Sequence, residues 1–103
     1  MNVLLYKPGC NPAEVKIGNT LSDLQRAVGG YIETVSLADG LILVCDEEGK
    51  LKDKPPNRIL YANGRDPVDI IVGNFFVCRR TGEELSGIRP GDEDLAALFL
   101  APV

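Results

Sequence analysis

Apolar and polar positions alternate at the start of the chain. "NVLLYKP" is β-prone up to the turn pair Pro8-Gly9, and in "AEVKIG" Val15 and Ile17 alternate with Glu14 and Lys16, the two-residue period of a strand with one buried and one wet face. This predicts an N-terminal hairpin whose loop lies around Cys10-Asn11-Pro12. The period then changes. In "NTLSDLQRAVGG" the apolar residues Leu21, Leu24, Ala27 and Val28 recur at spacings of three and four, which is one face of a helix. Asn19 or Thr20 can cap it, with Asp23 placed for a capping box after Thr20, and Gly29-Gly30 can stop it.

Two strand-like runs follow in "YIETVSLADGLILVCDEEGKL", joined at Asp39-Gly40, a hairpin signal. Tyr31, Glu33, Val35 and Leu37 share one face and Ile32, Thr34 and Ser36 the other; both faces are mixed, so the pattern does not say which is buried. Asp46-Glu47-Glu48-Gly49 reads as an acidic, solvated turn, followed by a short extended piece around Leu51 and a bend at Pro55-Pro56. "RILYANGRD" suggests a short strand or one helical turn with an Asn63-Gly64 turn. The nearly continuous apolar run "VDIIVGNFFVCRR" is the pattern of a central strand covered on both faces, interrupted at Gly73. The tail "RPGDEDLAALFLAPV" reads as a second short helix with acids at its positive end. Its apolar end must be buried in this chain or against a partner.

Taken together, the elements predict an α+β domain spanning residues 1–103: a mostly antiparallel sheet of about five to six strands with two short helices packed on one face. The 103-residue length fits one core, and 45% hydrophobic with 25% charged residues is the balance of a globular chain.

Charge and chemistry narrow the function classes. The opening apolar run Val3–Tyr6 is too short for a signal peptide and no run approaches the roughly 20 residues of a membrane span, so a cytoplasmic protein without membrane attachment is expected. A net charge of −4 disfavours nucleic acid as a partner. There is no histidine, which removes the commonest general base and transition-metal ligand. Cys10, Cys45 and Cys78 are far apart and show no C-x-x-C spacing, and Cys45 and Cys78 sit in apolar runs as buried small hydrophobes do. No cofactor is indicated, and no nucleophile and base pair is identifiable from spacing.

The least generic polar stretch is Pro55-Pro56-Asn57-Arg58. A proline-stiffened loop can offer an amide and a planar, five-donor cation to a carboxylate or phosphate. Equally, Asn57 can bond the backbone of its own turn while Arg58 pairs with an acid such as Asp46 or Asp69. With Tyr31, beside the Gly29-Gly30 pair, and Arg65, these residues form the candidate site for a small anionic ligand such as a nucleotide or metabolite. Arg79-Arg80 at a strand end reads as a solvated pair of charges.

From Val3 to about Val77 the order of "VLLYKPG", "LQRAVGGYIETV", "LVCDEEGKL", "PPNRIL" and "DIIVGNFFV" resembles the bacterial and phage family registered as domain of unknown function 3846. The resemblance implies a small α+β domain often encoded on phages, plasmids and conjugative elements, with no catalytic residue to carry over. In that family the bend follows a Gly-Leu pair, as in "GLPxNR", where this chain has Asp53-Lys54. The combined expectation is a non-catalytic interaction module that binds a host protein or forms a homodimer.

Overall fold

The computed structural model describes residues 1–62 and 65–103; the predicted Asn63-Gly64 turn lies outside the described residues. The N-terminal hairpin forms from β1 (Asn2–Tyr6) and β2 (Ala13–Lys16). Helix α1 (Leu21–Val28) starts at Thr20, which makes the capping box with Asp23, and ends at Gly29 with φ +75°, the left-handed geometry that glycine adopts without penalty. Leu24 and Val28 are buried on its inner face, whereas Leu21, expected on the same face, is exposed.

Strands β3 (Ile32–Ala38) and β4 (Leu41–Asp46) pair across Asp39-Gly40, both of which have positive φ, as a type I′ hairpin turn requires. The segment after β4 differs from the extended piece expected: residues 47–53 are a succession of turns closed by Lys52 N–H to Glu48 and Lys54 N–H to Gly49. Asp53 takes φ +54° there. "RILYA" belongs to strand β5 (Pro56–Ala62).

The apolar run read as one central strand is two strands in different sheets. β6 (Asp66–Val72) pairs with β5, and β7 (Phe75–Thr81) lies between β1 and β4. Gly73, with φ +71°, is where the chain crosses between them. The tail is likewise not one helix. After β8 (Glu84–Ser86) comes α2 (Asp92–Ala97), and the chain then turns and adds β9 (Leu100–Pro102) to β5.

The larger sheet thus has six strands in the order β2-β1-β7-β4-β3, with β8 also on β7, and the smaller has the order β6-β5-β9; all pairings are antiparallel. An α+β fold is what the sequence predicts, and the larger sheet has the expected strand number. The second sheet was not anticipated. Because side chains alternate across a strand, the larger sheet carries two cores. Val3, Ile42, Val44, Phe76 and Cys78 meet Leu24 and Val28 of α1 on one face. Leu4, Tyr6, Leu41, Leu43, Phe75 and Val77 meet Leu60, Ile71, Leu100 and Ala96 on the other. The helices therefore lie on opposite faces, not on one, and β4 is buried along its whole length. Among the described residues no helix is long and apolar enough to cross a membrane.

Candidate functional site

The bend at Pro55-Pro56 lies where the two sheets part. Two prolines fix φ there and leave few backbone donors, so the bend is held by its neighbours: Gly73 N–H donates to the Pro55 carbonyl at 2.8 Å. Asn57 follows, completely buried. Its amide donates to the carbonyls of Tyr6 (3.0 Å) and Gly73 (2.7 Å), and its Oδ1 accepts from Arg58 at 2.9 Å. One side chain thus ties the end of β1, the crossing at Gly73 and β5 together. Its two amide protons and its carbonyl oxygen are all engaged inside the protein.

Arg58 is 6% exposed. Nη1 donates to the carbonyl and Oδ1 of Asn57, Nη2 donates to the Cys10 carbonyl at 2.5 Å, and the guanidinium lies 5.3 Å above the Tyr6 ring, a cation–π contact. Neither Asp46 nor Asp69 pairs with it; both are held by lysines. Asn57 and Arg58 line one cleft of about 160 Å3 together with Gly9, Cys10, Asn11, Pro102 and Val103. The other two residues of the predicted constellation are not in that lining. Tyr31, 64% exposed, stands immediately before β3, and Arg65 is exposed before β6.

The acidic turn holds a feature that composition hides. The Asp46 side chain is fully buried, with Lys52 at 2.9 Å and Lys54 at 2.6 Å, and it accepts the Glu48 N–H at 2.9 Å. The same two ammonium groups reach the carbonyls of Val28 and Gly29, the negative end of α1. Burial alone would raise the Asp46 carboxyl, but the Lys54 and Lys52 contacts and the Glu48 amide outweigh it and hold its pKa down to about 2. Gly30 is where it is because a Cβ there would fall 2.5 Å from Asp46 Oδ1. Glycine at position 73 likewise makes room for the Lys54 stem, 2.6 Å from a Cβ added there. The turn is solvated as expected at Glu47, but Asp46 is instead the junction of helix, β4 and bend.

Arg79 is also not a solvated charge. Its Nε and Nη2 donate to the two oxygens of the buried Asp92 at 2.8 and 2.6 Å, which anchors the start of α2 to β7. The Arg79 contact lowers the Asp92 carboxyl below its ordinary value. Of the thiols, burial, Glu33 and neighbouring carboxylates push Cys45 up to about 12, and burial pushes Cys78 up to about 11. Both remain protonated at neutral pH, a state without nucleophilic character. Cys10 is exposed.

One surface was missed from the sequence altogether. Ile59 and Ile70 pair across β5 and β6 on the side of the smaller sheet away from Leu60 and Ile71 in the core. With Pro67 they wall an open apolar hollow of about 470 Å3, bordered by Lys50 and Asp69, which form an ion pair. Val68 (58%) and Ile70 (45%) are exposed, and so is Leu51, which lines a neighbouring cleft with Ile70. The available signal was the doublet Ile70-Ile71: placing the strand break at Gly73 puts these two residues on opposite faces of a seven-residue strand.

No curated protein and no solved structure matches the chain. A family model, described as "Domain of unknown function (DUF3846)", matches residues 1–98. That span takes in the bend, the Gly29-Gly30 pair, the Asp46 cluster, the Gly73 crossing and α2, so the expected resemblance extends well beyond Val77, and the chain belongs to the family of domain of unknown function 3846.

Proposed function

We propose that the chain is a non-catalytic interaction module, acting in the cytoplasm and encoded on a phage or other mobile element, that docks a second polypeptide on the outer face of its smaller sheet. The observation that carries this reading is the apolar hollow of about 470 Å3, open among the described residues and walled by Ile59, Pro67 and Ile70. Exposed apolar surface that is rimmed by polar groups marks interaction sites. The occupant is a second copy of this chain. Lys50 and Asp69 place opposite charges on one rim, so a two-fold arrangement can set each against its opposite in the partner copy. β6 also pairs only with β5 among the described residues, which leaves an edge for a symmetric neighbour.

Sedimentation across a wide concentration range tests the reading. The expected result is a mass that approaches the dimer as concentration rises and reverts to the monomer in Ile70→Lys, which alters an exposed position and leaves stability within about 0.5 kcal/mol. A monomer at every concentration, combined with host-protein capture that Ile70→Lys does not change, contradicts it.

A further inference from the structure

We propose that the cleft beside Arg58 is a binding site for one small oxyanion group, a phosphate or a carboxylate. Arg58 is more than nine-tenths buried, and buried cations are ordinarily paired with an opposite charge. In this chain Lys52 and Lys54 share Asp46, and Arg79 has Asp92. Arg58 differs: among the described residues its partners are the carbonyls of Asn57 and Cys10, Asn57 Oδ1 and the Tyr6 ring, all neutral.

A guanidinium carries five N–H groups. Three are directed at those oxygens, which leaves Nε–H and one proton of Nη2 without a partner among the described residues. These are the atoms with which Arg79 grips both oxygens of Asp92. Besides Asn57 and Arg58, the cleft is walled by Gly9, Cys10, Asn11, Pro102 and Val103, none of which brings a carboxylate side chain to it. Gly9 adds open backbone, since a Cβ there would meet nothing within 4 Å. At about 160 Å3 the space suits a single anionic group and its water, not the several hundred Å3 that a drug-sized ligand occupies. Asn57 holds the arginine in place, with its amide protons and its Oδ1 engaged within the protein. The site shares no residue with the apolar hollow of the smaller sheet, so either can stand without the other.

Arginine side-chain nuclear magnetic resonance on the full chain tests this, with sodium phosphate and sodium acetate titrated separately against sodium chloride at matched ionic strength. The Arg58 Nε–H signal, assigned through its proximity to the Tyr6 ring, is expected to shift saturably with one or both oxyanions. Half-saturation at about 1 mM is the strength expected of two charge-assisted bonds in an open cleft. Arg79 Nε–H, already bonded to Asp92, stays in place. A shift with phosphate alone identifies a phosphate group, and one with acetate alone a carboxylate. No shift of Arg58, or an equal drift of all arginines including in chloride, overturns the proposal. In Arg58→Lys, which keeps the charge and loses the fork, any rise in melting temperature caused by the active anion is expected to disappear; an undiminished rise also overturns it.

Discussion

Single residues carry this fold at the point where its sheets separate. Asn57 satisfies two carbonyls that belong to different parts of the chain, Tyr6 and Gly73, and holds the Arg58 guanidinium. Asn57→Ala leaves those buried acceptors unpaired, at about 1–3 kcal/mol each; urea unfolding is expected to show a loss of about 3 kcal/mol, and a loss under 1 kcal/mol would mean that the crossing is held elsewhere. Gly73→Ala combines the cost of φ +71° for a side-chain-bearing residue with a clash against Lys54. It is expected to cost about 2–3 kcal/mol by the same measurement. These requirements are only partly legible in the sequence. The polar, proline-stiffened character of "PPNR" is visible, but whether its donors face inward depends on carbonyls far away in the chain.

At the scale of elements, the sequence shows most clearly what is local. The first hairpin, α1 with its capping box and glycine stop, and the Asp39-Gly40 turn form as their residues predict, because each rests on neighbouring positions. What it hides is partnership. "DIIVGNFFV" satisfies β-propensity equally as one strand or two, and only the conformation of Gly73 and the sheet on each side decide between them. Asp46 and Asp92 read as surface acids until Lys52, Lys54 and Arg79 are brought to them. Position 53 shows a local cost. Asp53 holds φ +54°, a conformation that glycine takes without penalty, so Asp53→Gly is expected to raise stability by a few tenths of a kcal/mol up to about 1 kcal/mol. The opposite sign in denaturant melts would mean that the aspartate side chain stabilises the turn. The Arg79–Asp92 pair joins α2 to β7 with little exposure on either side chain. Asp92→Ala leaves a buried cation unpaired and is expected to cost about 3 kcal/mol, with amide exchange accelerating first in α2 and in β9, which follows it. Uniform acceleration across the larger sheet would contradict that anchoring role.

The whole molecule is a layered structure in which α1 covers one face of the larger sheet and the smaller sheet, with α2, covers the other. Its acid stability should follow Asp46. The folded carboxyl is held at about 2 against an ordinary value of 3.8, so its contribution is complete above pH 3.8 and is lost as pH falls through 2. The size is about 2 kcal/mol. Asp92, also held low, acts in the same direction. Unfolding free energy measured between pH 6 and pH 2 should fall mainly at the acid end of that range, and the fall should shrink in Asp46→Asn relative to that variant's own plateau. Among the described residues the layering leaves an apolar hollow open on the outer face of the smaller sheet, around Ile59, Pro67 and Ile70. That face is the centre of the functional reading. Backbone amide spectra recorded as the protein is concentrated test it most directly. The account predicts progressive shifts at Leu51, Ile59, Val68 and Ile70, absent in Ile70→Lys; spectra that do not change with concentration, or changes confined to the β2 and β3 edges of the larger sheet, would contradict it.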